Sequence, residues 1–177
     1  LPAPAYATPA TRPGHDKVNL VDTGNHGEHY RSHPPRKANS LATRDLILGN
    51  GTGGFTRDGR EYVISTCNAH ATPAPWSNIL ANPQFGSVVS ESGQAYTWSE
   101  NAHEFRLTPW ANDPVCDGGG ETFYLRDEES TLCWSPTPLP SRGQGEYITR
   151  HGFGYSVFEH QEDGIISELT VYVAMDA

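Results

Sequence analysis

What most limits the fold of this chain is how often it is made to turn. Asp58-Gly59, Glu91-Ser92-Gly93, residues 127–130 and Glu162-Asp163-Gly164 each set turn-forming residues between short apolar runs, and glycine tolerates the positive φ that tight hairpins need. Between the turns the pattern has a period of two. In residues 60–66, Tyr62 and Ile64 point one way and Glu61, Val63 and Ser65 the other, which suits a half-buried antiparallel strand. Residues 45–48 read as a short strand. Residues 86–90 and 95–98 form a strand and its return, and residues 122–126 and 132–135 a second pair. Residues 146–150, 154–160 and 165–174 complete an antiparallel series. No segment sustains a 3.6-residue period. Residues 77–82 alone suggest one helical turn, ended by Pro83. Many short strands separated by turns predict an all-β fold, an antiparallel β-sandwich.

The sandwich is expected over residues 41–177, preceded by a Pro/Ala/His-rich linker or arm over residues 1–40. That arm holds His15, His26, His29 and His33 near Asp16, Asp22 and Glu28. Imidazole and carboxylate suit zinc or nickel, but the HGEH spacing fits no helical zinc motif, and Gly24, Gly27 and Pro34-Pro35 oppose a helix. No metal site is assigned. Four glycines at 49, 51, 53 and 54 resemble a phosphate loop only superficially, because no GK[ST] and no helix follow. Gly53 and Gly54 instead signal either close backbone approach or positive φ. No cofactor is expected.

Twenty-one acidic against twelve basic residues give a formal charge of −9, which argues against non-specific nucleic-acid or anionic-membrane binding. Cys67, Cys116 and Cys133 are an odd set without CxxC spacing and read as small buried thiols in a reducing compartment, which points to the cytoplasm. No signal peptide is visible and no run approaches a membrane span.

Residues 76–115 concentrate the candidates for function. They hold Trp76, Trp98 and Trp110, with Asn101, His103, Glu104, Arg106, Asn112 and Asp113 between and after them. Rings that stack on sugar faces beside short hydrogen-bonding side chains are what an oligosaccharide surface needs. The candidate carbohydrate-binding set is Trp98, Asn101, Arg106, Trp110, Asn112 and Asp113. Each has a plainer role open to it: core packing for the tryptophans, an ion pair with Asp113 or Glu104 for Arg106, turn capping for Asn112-Asp113. Arg126-Asp127 reads as a structural turn pair. Glu100, Glu104 and Asp113 offer the two carboxylates of a glycosidase, but any acidic sequence does as much. No catalytic residue is assigned.

The stretches GTGGFTRDGREYVIS, TPAPWSNILANPQFGSVVSESGQAYTWSEN, FRLTPWANDPV, FYLRDEESTLCWSPTPLP and RHGFGYSVFEHQEDGI, in this order, resemble the amino-terminal sandwich of inverting cellobiose and chitobiose phosphorylases. They are closer still to the corresponding region of cyclic β-1,2-glucan synthases. The resemblance covers residues 41–177. It implies that the sandwich is part of a supersandwich, followed in the same polypeptide by an (α/α)6 barrel that carries the general acid, while phosphate attacks with inversion. It further implies a β-linked gluco-oligosaccharide as ligand, and a parent enzyme anchored to the inner membrane through other regions. The family's Gly-Gly-aromatic step falls on Gly53, Gly54 and Phe55. Its remaining motifs fall on Trp98, Ser99 and Asn101, on Arg106–Trp110 with Asn112 and Asp113, and on Tyr124–Asp127. His103 and Phe105 stand where the synthases often have Arg and Asn.

The expected function is therefore a non-catalytic, carbohydrate-associated sandwich that supports and rims the sugar site of a barrel. The alternatives are a free-standing glycan-binding module and a structural or oligomerisation domain. The strand-like run at 167–174 meets Ala177 without a closing turn, so a larger sandwich is expected, with a homo-oligomer as the nearest cover for its edge.

Overall fold

The computed structural model describes residues 44–68, 70–110 and 118–175, all within one unit, Pro35–Ala177. The arm and its histidines, Cys116, Asn112 and Asp113 lie outside the described residues. Among these there is no α-helix. Three antiparallel sheets account for the regular structure. The largest has six strands, β1 (Leu46–Ile47), β2 (Gly53–Thr56), β3 (Glu61–Thr66), β9 (Tyr147–Gly152), β10 (Tyr155–Glu162) and β11 (Ile165–Tyr172), in that spatial order. A three-stranded meander comprises β4 (Ser77–Ala81), β5 (Phe85–Ser90) and β6 (Gly93–Ser99), and β7 (Leu125–Arg126) pairs with β8 (Cys133–Trp134). The chain leaves the large sheet after β3, builds the two smaller sheets, and returns as β9 to pair with β3, Val63 opposite Arg150 and Ile64 opposite Thr149.

The turn chemistry acts as the sequence predicts. Gly59 has φ of 69°, and Asp163 and Gly164 have φ of 47° and 78°, the double left-handed pair of a type I′ hairpin. Gly53 and Gly54 serve close approach rather than positive φ. A Cβ on Gly53 would lie 2.4 Å from the Val63 carbonyl oxygen, and one on Gly54 3.0 Å from that of Ile47.

Alternation decides the packing. Leu80 on β4 and Val89 on β5 point inward and meet Phe158 on β10, each at most 1% exposed, with Leu169, Val171 and Val173 against them. The other end of this interface is polar. Asn78 donates through Nδ2 to the Gly152 carbonyl (2.9 Å), the Tyr155 carbonyl (3.0 Å) and Ser156 Oγ (3.2 Å). His151 Nε2 donates to the Trp76 carbonyl at 3.0 Å, and its Nδ1 accepts from Ser156 Oγ at 2.8 Å. Glu91, buried between the sheets, accepts from the Trp76 amide at 2.7 Å and from Thr72 Oγ1, and its carbonyl accepts from Thr149 Oγ1. On the opposite face of the large sheet, Arg150 lies 2.6 Å from Glu61 and 2.7 Å from Glu159, and Arg44 reaches Glu159 at 2.5 Å.

Several expectations are corrected. Residues 77–82 do not make a helical turn; β4 runs there because β5 supplies a full ladder, Ser77 opposite Ser90 through Ala81 opposite Gly86. The strand at 60–66 is not half-buried, since Val63 and Ile64 point to opposite faces and both are 0% exposed. It is a central strand, paired on one edge with β2 and on the other with β9. The strand expected over 122–126 shrinks to β7. Cys67 is half-buried and Cys133 exposed, so neither is a buried thiol; in the short β8 it is Trp134, at 2% exposure, that turns inward.

Two expected outcomes follow from the interface. Phe158→Ala leaves a cavity at its apolar end and should cost about 3–5 kcal/mol in urea unfolding. Burial holds His151 below the ordinary imidazole value of 6.5, against the opposing pull of its bond to Trp76. The unfolded chain then binds the proton first as pH falls, so the stability His151 confers is complete above about pH 6.5 and is lost progressively below it. The urea midpoint should fall between pH 7.5 and pH 5.5, and His151→Gln should flatten that dependence.

Candidate functional site

The meander has two faces. The inner one carries Asn78, Leu80, Ser87, Val89 and Thr97, and the outer one, by the period of two, carries Ile79, Gly86, Val88, Tyr96 and Trp98. Gly86 stands directly opposite Trp98, and the indole lies flat on its backbone: a Cβ there would be 2.0 Å from Trp98 Cζ2. Tyr96 sits between two tryptophans. Its ring centroid is 5.2 Å from that of Trp98, tilted by 31°, and 5.0 Å from that of Trp110, tilted by 42°. Tyr96 itself is buried, its hydroxyl donating to the Ala102 carbonyl. Trp98 is half-buried, while Trp110 is 43% exposed.

The segment after β6 folds back along it. Ser99 N donates to the Phe105 carbonyl at 2.9 Å, Leu107 N to the Thr97 carbonyl at 3.0 Å, and Thr97 N to Thr108 Oγ1 at 2.8 Å. A β-bridge sets Arg106 opposite Trp98, and such partners share one side of a sheet. The intervening loop begins at Glu100, whose φ of 56° turns the chain. Asn101 Oδ1 then accepts from the amides of His103 (2.8 Å) and Glu104 (3.1 Å), an Asx turn that fixes the loop.

The structure thus gathers Trp98, Arg106 and Trp110 on one outer face around Tyr96. Asn101 stands at its margin with its oxygen committed to the turn. Asn112 and Asp113 lie outside the described residues. Glu104 binds His103 Nδ1 at 2.7 Å, and Arg106 makes no ion pair among the described residues, its side chain being exposed. Asp127 caps its turn through the Ser130 amide at 2.7 Å, while Arg126 approaches Glu128 at 3.7 Å. Glu100 and Glu104 share one exposed loop and do not face each other across a cleft, as an acid and base would. No cluster of metal-ligating side chains occurs among the described residues. Chemically, this face can stack on a sugar ring and donate a guanidinium fork to hydroxyls. Sequence reasoning passed over Tyr96 and Gly86. The signal was there, since Tyr96 lies two positions before Trp98 in one strand and so shares its face.

Residues 60–177 match the family described as glycosyl hydrolase 94, supersandwich domain. The chain is 43% identical over 129 residues to the cyclic beta-(1,2)-glucan synthase NdvB of Rhizobium meliloti (strain 1021), a match covering 72% of this chain and 5% of that protein. It is 34% identical over 124 residues to the N,N'-diacetylchitobiose phosphorylase of Vibrio proteolyticus, covering 68% and 15%. It is 33% identical over 122 residues to the 3-O-beta-D-glucopyranosyl-beta-D-glucuronide phosphorylase of Paenibacillus borealis, covering 68% and 14%. The chain therefore spans only a small part of the length of these relatives.

Gly86→Ala tests the geometry of the face. The added methyl must push the Trp98 indole off the sheet, so Trp98 emission should shift to the red, with a stability loss of about 1–3 kcal/mol from overpacking. A Trp98→Phe background, in which the shift should vanish, assigns the signal.

Proposed function

The chain belongs to the glycosyl hydrolase 94 supersandwich family, and we propose that it is the non-catalytic sandwich of a longer glycosyl-transferring enzyme, its outer aromatic face rimming the sugar site of an (α/α)6 catalytic barrel in the same polypeptide. The observation that carries this reading is the Trp98–Tyr96–Trp110 ring series with Arg106 beside it. A buried Tyr96 fixes two more accessible indoles, so a sugar meets surfaces already in place and little side-chain entropy is lost on contact. Arg106, opposite Trp98 and without a carboxylate partner among the described residues, keeps its donors for hydroxyls or for the barrel wall.

The substrate class proposed is a β-linked gluco-oligosaccharide. The activities for which the three relatives are named support it, as they concern a beta-(1,2)-glucan, diacetylchitobiose and a beta-D-glucopyranosyl glucuronide. Bond cleavage and transfer belong, on this reading, to groups outside the chain. Its own part is to hold, orient and shield the sugar.

In the longer enzyme, Arg106→Ala and Trp110→Ala should each lower kcat/KM on β-1,2-gluco-oligosaccharides with phosphate by the equivalent of about 1–3 kcal/mol. Denaturant melts should move little, because Trp110 is exposed; a buried aromatic would cost about 3–5 kcal/mol. Unchanged kinetics in both folded variants would reduce this domain to a scaffold. The 177-residue chain alone should neither phosphorolyse nor hydrolyse such sugars.

A further inference from the structure

Asn50, Asn82 and Asn101 close the same kind of turn. Asn50 Oδ1 accepts from the amides of Thr52 (3.0 Å) and Gly53 (2.9 Å). Asn82 Oδ1 accepts from those of Gln84 (2.8 Å) and Phe85 (2.7 Å), and Asn101 Oδ1 does the same with His103 and Glu104. What differs is the next residue: Gly51, Pro83 or Ala102. A bond from that residue's nitrogen to the asparagine Cγ would close a succinimide ring. The Pro83 nitrogen carries no proton and cannot close it. Ala102 sets a methyl group beside the attacking nitrogen. Gly51 sets none, and both it and Asn50 are exposed. Its φ of 90° suits glycine, and nothing lies within 4 Å of where its Cβ would stand. Asn50-Gly51 is also the one Asn-Gly pair in the sequence.

We infer that Asn50 is a self-modification site, at which the Gly51 nitrogen cyclises onto the Asn50 side chain and expels the amide nitrogen as ammonia. Hydroxide takes the Gly51 amide proton. The nitrogen then bonds to Asn50 Cγ and pushes the carbonyl electron pair onto Oδ1. The amides of Thr52 and Gly53 already point at that oxygen and stabilise its charge as it develops. The Cγ–Nδ2 bond breaks, and Nδ2 leaves as ammonia with a proton from water, which restores the hydroxide. Water then opens the succinimide at either carbonyl to give aspartate or isoaspartate, with no change in oxidation state. The two products differ in consequence. An aspartate keeps an oxygen for both amides, so the turn survives with an added negative charge. An isoaspartate routes the backbone through the former side chain and displaces the entry to β2, where Gly53 faces Ile64 and the Thr52 carbonyl accepts from the Ser65 amide at 2.8 Å.

Peptide mapping by mass spectrometry of the 177-residue chain, kept folded at mildly alkaline pH, tests the assignment. The peptide holding Asn50 should take on the mass of an acid in place of an amide and split into aspartate and isoaspartate forms. It should convert roughly tenfold or more faster than the peptides holding Asn82 or Asn101, and faster again as pH rises, since hydroxide takes the first proton. Gly51→Ala should slow Asn50 by a similar factor. Ala102→Gly should bring Asn101 up to a rate comparable to that of Asn50, because the turn around it is already the same. A chain unfolded in urea supplies the comparison for the turn itself. Conversion of Asn50 only after unfolding would mean that the turn protects it, and would overturn the assignment. Equal rates at the three asparagines, an Asn50 unaffected by Gly51→Ala, or an Asn101 unmoved by Ala102→Gly would overturn it as well.

Discussion

The two main sheets hold together through a polar seam, and the amide of Asn78 is its centre. Its Nδ2 meets two carbonyls and a hydroxyl of the facing hairpin, and that hydroxyl in turn feeds His151, whose other nitrogen reaches Trp76. Buried polar groups of this kind stabilise only when every member finds a partner. Satisfied, they specify one register between the sheets, where the apolar cluster of Leu80, Val89 and Phe158 alone would tolerate sliding. Burial favours a neutral His151, whose Nδ1 then accepts from Ser156 Oγ. Its protonation state is thus linked to the seating of the meander.

The outer face depends on the same register. Inward Asn78 and Leu80 put Ile79 outward, and the ladder then fixes Gly86 under Trp98 and Val88 beside Tyr96. A residue without a side chain at 86 is what lets an indole lie flat on a sheet. The half-exposed ring is therefore a consequence of buried pairing several ångströms below it.

Much of this was legible in the residues. Glycines with neighbouring Asp or Asn marked the hairpins, and period-two segments gave the strands, because both signals are local. Trp98, Arg106 and Trp110 lie within a dozen or so positions, and the fold sets them around Tyr96. What failed was non-local. Residues 77–82 have no strong strand signal of their own and become β4 only because β5 presents a ladder. Burial of both faces of β3 is set by tertiary packing, which the local pattern of residues 60–66 does not carry. The acceptor role of the Asn101 oxygen within its own loop is a feature that only the backbone geometry reveals. The exposure of Cys133 was equally hidden: in a two-residue strand, composition cannot say which neighbour turns inward.

The pairing of β3 with β9 carries a kinetic consequence. Glu61 and Arg150, which meet across it, are 89 residues apart, whereas β4, β5 and β6 follow one another through short turns. Closing so long a loop is entropically costly before any ladder bond rewards it, and chains rich in such contacts fold slowly. The meander, with its outer rings already in register, is the piece that can assemble first. The six-stranded sheet then forms around it, and its two halves remain unpaired edges until β9 arrives. In a nascent chain emerging residue by residue, β3 waits through the synthesis of everything between, protected in the meantime only by its hairpin with β2.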